Sequence, residues 1–135
     1  MIGLPSLSSL DRSTPVRIWL AVQPADMRCG FDRLAELSRV VTGQDPLSGH
    51  LFLFRGRRGD RLKILYFDRD GYALWYKRLE EGVFKLPRNV PGTDGSARPS
   101  VELRGSELAM ILDGIDLSSI RRGKRYRRPN VNAER

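Results

Sequence analysis

Three runs rich in apolar, aromatic and β-branched residues lie at 51–54 (LFLF), 62–67 (LKILYF) and 72–79 (YALWYKRL), separated by two short polar segments. Runs of this kind, bounded by Gly and Asp clusters, form strands that pair through tight turns. The pattern predicts a three-strand antiparallel meander. Its first connection, 55–60, contains Gly56 and Gly59. Its second, DRDG at 68–71, predicts a tight hairpin in which Gly71 supplies positive φ. Upstream, VRIWLAV at 16–22 alternates, with Val16, Ile18 and Leu20 on one face of a strand, Arg17, Trp19 and Ala21 on the other, and Pro24 ending it. Phe31, Leu34, Leu37, Ser38 and Val41 recur at helical spacing and predict an amphipathic helix over 29–41, with Asp26 as a start cap and Gly43 as a stop.

Downstream, residues 83–86 are expected to add a short further strand. PRNVPGTDGSARP at 87–99 holds three Pro and two Gly and predicts a mobile loop rather than a domain boundary. Val101 and Leu103 mark another strand. ELAMILD at 107–113 predicts a short helix with Leu108, Ile111 and Leu112 inward, stopped at Gly114. The expected fold is a single-domain α+β protein, a mostly antiparallel sheet of about five strands with one main helix and one short C-terminal helix. Residues 1–14 are expected to form a flexible arm, 15–120 the domain and 121–135 a disordered basic tail.

Charge sharpens this picture. Of the net +8, residues 121–135 carry +6, leaving +2 for the rest. The tail's cations are Arg121, Arg122, Lys124, Arg125, Arg127, Arg128 and Arg135 against Glu134. The first turn of the meander is also basic, because Arg55, Arg57, Arg58, Arg61 and Lys63 surround the single acid Asp60. A sheet that presents a basic finger, beside a cationic tail, favours polyanions, nucleic acid first. Arginine meets phosphate or guanine with paired hydrogen bonds, and each phosphate contact adds counterion release without reading sequence. Asp26 and Arg28, beside the start of the main helix, form a second candidate contact for an anion or a partner.

One Cys and one His exclude a disulfide framework within the chain and a Cys/His zinc site. His50 and Cys29 are expected to be structural. Trp19, Trp75, Tyr66, Tyr72 and Tyr76 are expected to pack in the core rather than stack on bases. The start of the chain lacks the signature of a signal peptide, and no apolar run approaches a membrane span, so a cytoplasmic location is expected. No catalytic constellation stands out and no cofactor or metal is expected. The enzyme alternative is a metal-dependent nuclease built on Asp60, Asp68 and Asp70, and a third reading is a general RNA-binding module.

Three blocks carry a resemblance: VRIWLAVQPADMRCGFDRLAELSRVV, SGHLFLFRGRRGDRLKILYFDRDGYALWYKRLEEGVF and SVELRGSELAMILDGIDLSSIRRGKR. Over roughly residues 15 to 125 the chain resembles the TnpB accessory proteins, Orf2-type proteins encoded beside the transposase in insertion sequence 66 elements. The resemblance implies a role in DNA transposition. With no catalytic constellation and an excess of basic residues, the expected role is that of a non-catalytic accessory protein that binds element DNA, the transposase, or both. Arg104 stands where relatives often carry Thr, and arginine has no side-chain acceptor with which to cap the last helix.

Overall fold

The structure is a computed structural model that describes residues 15–87 and 98–114. The expected arm at 1–14, most of the expected loop at 87–99 and the tail at 121–135 lie outside the described residues. Five strands form one sheet: β1 (Ile18–Ala21), β2 (Leu51–Arg55), β3 (Arg61–Asp68), β4 (Gly71–Arg78) and β5 (Ser100–Leu103), in the order β4-β3-β2-β1-β5. Two α-helices accompany it, α1 (Phe31–Thr42) between β1 and β2, and α2 (Gly105–Leu112) after β5.

The meander β2-β3-β4 is antiparallel throughout, and β5 joins β1 antiparallel. The one parallel pairing joins β1 to β2, with Ile18 opposite Leu51 and Leu20 opposite Leu53. Parallel neighbours need a long crossover, and α1 supplies it.

Both faces of this sheet are covered, which explains the unbroken apolar runs in β2 and β3. Side chains alternate between two cores. Ile18, Leu20, Leu51, Leu53, Leu62 and Ile64 point to one, closed by Leu108 and Ile111 of α2 and by Phe84. Phe52, Phe54 and Leu65 point to the other, against Leu34 and Ala35 of α1. Burying a side chain such as Leu34 or Phe52 stabilises the fold by about 1.5–3 kcal/mol. Ser38 is buried on the same helix because its hydroxyl donates to the Leu34 carbonyl at 2.8 Å.

Several local expectations are corrected. The main helix begins at Phe31 after Gly30, with no side-chain cap; Asp26 lies too early and bonds Arg28 instead. Its end is as expected, since Gly43 adopts φ 72 and its N–H returns to the Arg39 carbonyl at 2.9 Å. Residues 83–86 form no strand. They run as an irregular segment that buries Phe84 and donates the Phe84 N–H to the Gly59 carbonyl at 2.8 Å. In the β3–β4 hairpin the left-handed residue is Arg69, at φ 59, rather than Gly71, which already pairs with Asp68 as part of β4. The Asp70 N–H closes that turn onto the Asp68 carbonyl at 2.6 Å.

At α2, Arg104 makes no side-chain cap, as its chemistry requires. The Glu107 carboxylate accepts the Arg104 N–H at 2.8 Å, which is the half of a capping box that does not depend on the cap side chain.

Candidate nucleic-acid interface

The β2–β3 hairpin ends in a five-residue turn, 56–60, held by its own backbone. The Gly56 N–H donates to the Arg61 carbonyl and the Gly59 N–H to the Gly56 carbonyl, each at 3.0 Å. Gly59 sits at φ 85, and a Cβ there would lie 3.3 Å from Val83 Cβ. Two bonds from the following chain brace the tip. The Leu79 N–H donates to the Asp60 carbonyl and the Phe84 N–H to the Gly59 carbonyl, both at 2.8 Å.

The five cations of this region divide sharply. Arg57 and Arg58 are exposed at the tip. Arg55 is half-buried and its guanidinium donates to the Val22 carbonyl at 2.9 Å. Arg61 donates to the Tyr76 hydroxyl at 3.3 Å. Lys63 is not part of the tip: it is only 6% exposed. Its Nζ donates to the carbonyls of Met27 at 2.7 Å and Cys29 at 2.8 Å and lies 4.7 Å from the centre of the Tyr76 ring. Lys63 therefore fastens the segment before α1 onto the sheet. A lone cation inside the apolar run LKILYF was the signal for this, because a lysine on a covered sheet face must find acceptors there.

Fastening that segment creates a site. Pro24, Asp26 and Met27 form one wall of a cleft of about 430 Å³, and Arg57, Arg58 and Arg61 form the other. A second cleft, of about 590 Å³, is lined by Val83, Phe84, Leu86 and Pro87 of the irregular segment together with Arg57 and Arg58. The expected finger and the expected Asp26 contact are thus neighbours. The wall at 83–87 was missed, because an unpaired segment carries no periodic signal.

Asp26 and Arg28 are engaged with each other. The carboxylate accepts the Arg28 N–H at 2.9 Å and the guanidinium at 3.1 and 2.9 Å. These bonds, the side-chain ones first, hold the Asp26 carboxyl well below its ordinary value, at about 2. The Arg28 side chain is nevertheless 91% exposed.

The acids of the nuclease alternative are not brought together. Asp60 precedes β3 and Asp68 ends it, so the two turns stand at opposite ends of an eight-residue strand, roughly 25 Å apart. Among the described residues, no three His, Cys, Asp or Glu side chains are grouped to hold a metal. His50 is structural: its Nδ1 accepts the Arg17 N–H at 3.1 Å, and burial, with Arg17 nearby, lowers its pKa. Cys29 lends its carbonyl to Lys63. Tyr66 is buried, Trp19, Tyr72 and Trp75 are half-buried, and Tyr76 is 47% exposed above Lys63. The basic residues Arg121, Arg122, Lys124, Arg125, Arg127 and Arg128 lie outside the described residues.

These features define a small α+β domain with a braced cationic hairpin. The chain belongs to the IS66 Orf2-like family, whose model matches residues 16–122, and this makes it an accessory protein of an insertion element, tied to transposition. It is similar to two proteins of Sinorhizobium fredii (strain NBRC 101917 / NGR234), both described as uncharacterized. With y4hO it is 41% identical over 101 residues, 75% of this chain and 82% of the relative. With y4jC it is 37% identical over 117 residues, 87% and 93% of the two chains. No solved structure matches. No helix among the described residues is long and apolar enough to cross a membrane.

Proposed function

We propose that this accessory protein works without covalent chemistry, by binding element DNA, the transposase, or both, and that the braced hairpin is its contact. The observation that carries this reading is the contrast among the hairpin cations: Lys63, Arg55 and Arg61 bond the protein itself, whereas Arg57 and Arg58 stand exposed between two clefts. Two guanidinium groups on a fixed turn suit phosphate oxygens. The basic segment 121–135 adds sequence-independent affinity in the cytoplasm. The nuclease reading has less support, because Asp60 and the Asp68–Asp70 turn stand at opposite ends of β3.

The test pairs salt titrations of DNA binding with a transposition assay. Removal of residues 121–135 is expected to weaken binding and flatten its salt dependence, by roughly 0.9 in slope for each phosphate no longer neutralised. The variant carrying Arg57→Ala and Arg58→Ala is expected to fold normally and to lose transposition even with the tail present. Normal transposition by that variant would refute the role of the hairpin. A preference for RNA over DNA, with transposition unaffected, would favour the general RNA-binding reading. Nicking of supercoiled DNA that depends on metal and on Asp68 would refute the non-catalytic reading.

A further inference from the structure

The two edges of the sheet differ in kind. The β5 edge is four residues long and follows Pro99, and Glu102 in it is tied across to Arg17 by a two-point ion pair at 2.8 and 2.9 Å. Short length and a neighbouring proline are devices that blunt an edge. The β4 edge is eight residues long and carries no proline. All eight of its residues pair with β3, which leaves the outer row of alternating N–H and C=O groups facing away from the sheet. Among the described residues, no backbone group bonds that row.

We propose that this edge pairs antiparallel with the β4 edge of a second copy of the chain, about a two-fold axis through Leu74. The strand's own sequence selects this register. Outward-facing residues must meet outward-facing residues, so the axis passes through a residue and not between two. Centred on Leu74, Tyr72 lies opposite Tyr76 on one sheet face, and Ala73 lies opposite Trp75 on the other, a small side chain beside a large one. Asp70 at one end then lies opposite Arg78 at the other, and symmetry makes that ion pair twice. Moving the axis to Ala73 sets Lys77 against Arg69, and moving it to Trp75 sets Glu80 against Asp70, like charges in both cases. The present partner of Arg78, Glu80 at 3.1 Å, holds it weakly, since the two side chains are 57% and 82% exposed. The product is a continuous ten-strand sheet across two copies, with both hairpin tips left free.

Sedimentation of the full chain over a concentration series tests this. The wild-type protein is expected to dimerise weakly, in the micromolar range or above, as a single edge contact is small. Asp70→Arg alone and Arg78→Asp alone each place like charges opposite one another twice and should weaken dimerisation roughly tenfold or more. Mixing the two variants restores both attractive pairs, and a heterodimer should form where neither variant self-associates. Both residues are exposed, and thermal melts are to check that each variant is folded. A wild-type protein that stays monomeric at every concentration overturns the proposal, as when residues 88–97 or 115–135 of the same chain occupy the edge. A dimer indifferent to both substitutions overturns it as well, by placing the interface elsewhere.

Discussion

Replacing Lys63 by Met removes an ammonium group and keeps a stem of similar length. In the native protein that group donates to Met27 O at 2.7 Å and Cys29 O at 2.8 Å and sits 4.7 Å from the Tyr76 ring centre. Hydrogen bonds from a charged donor contribute about 1.5–3 kcal/mol each, and a cation over an aromatic ring about 1 kcal/mol, for a gross loss of roughly 4–7 kcal/mol. Two effects offset this. Burial of an ammonium is itself unfavourable by several kcal/mol, and Met escapes that penalty. The segment at 26–29 also borders solvent, so its freed carbonyls reach water. A net loss of about 2–3 kcal/mol follows, which at about 4 °C per kcal/mol for a domain of this size lowers Tm by about 8–12 °C. Calorimetry measures the fall, and amide exchange should show faster opening at residues 25–30 than in the meander. A Tm within about 2 °C of the wild type with unchanged exchange would refute the fastening role. A fully stable variant that lost only DNA affinity would return Lys63 to the finger.

Arg69→Gly should raise stability by about 0.5–1 kcal/mol in denaturant melts, because Arg69 occupies φ 59 with a side chain that disfavours it, partly offset by the greater freedom of glycine in the unfolded chain. Gly59→Ala should lower stability by about 1–2 kcal/mol, since φ 85 is strained for alanine and the new methyl meets Val83 at 3.3 Å. The Asp26 carboxyl should titrate near 2 by NMR and return toward 3.8 in Arg28→Ala; an unchanged midpoint would sever the pair. Because folding lowers this pKa, its contribution to stability is present above the ordinary carboxylate value and is lost as pH falls through about 2.

The elements that sequence reasoning recovered are those whose pattern is local. Apolar, β-branched and aromatic runs at 51–54 and 62–67 mark strands whichever neighbours they have, and helical spacing from Phe31 to Val41 marks α1. The parallel β1–β2 pairing was not legible, because strand order depends on where a crossover packs and not on the strand's own residues. The segment at 83–86 looked like a strand for its Val and Phe, yet only Phe84 turns inward and its backbone serves the hairpin tip. The site was half legible. Clustered arginines and two glycines exposed the turn, but which cations face solvent depends on acceptors more than thirty residues away, Val22 for Arg55 and Met27 for Lys63.

Those remote acceptors decide what kind of contact the hairpin can make. A turn carrying five free cations would behave as a diffuse charge, able to follow a polyanion in any register. Here three of the five are drawn back onto the protein, and the tip is held by Leu79 and Phe84 from the chain that follows the meander. What projects is a pair of adjacent guanidinium groups on a backbone fixed at both ends. The same pair borders both clefts, so neither cleft is electrostatically independent of the other. An anion that draws Arg57 and Arg58 into the cleft beside Met27 removes them from the lining of the cleft beside Val83 and Leu86. Under the proposed function, a DNA phosphate and an acidic segment of the transposase would therefore meet one shared site, and occupancy of one cleft would bear directly on the other.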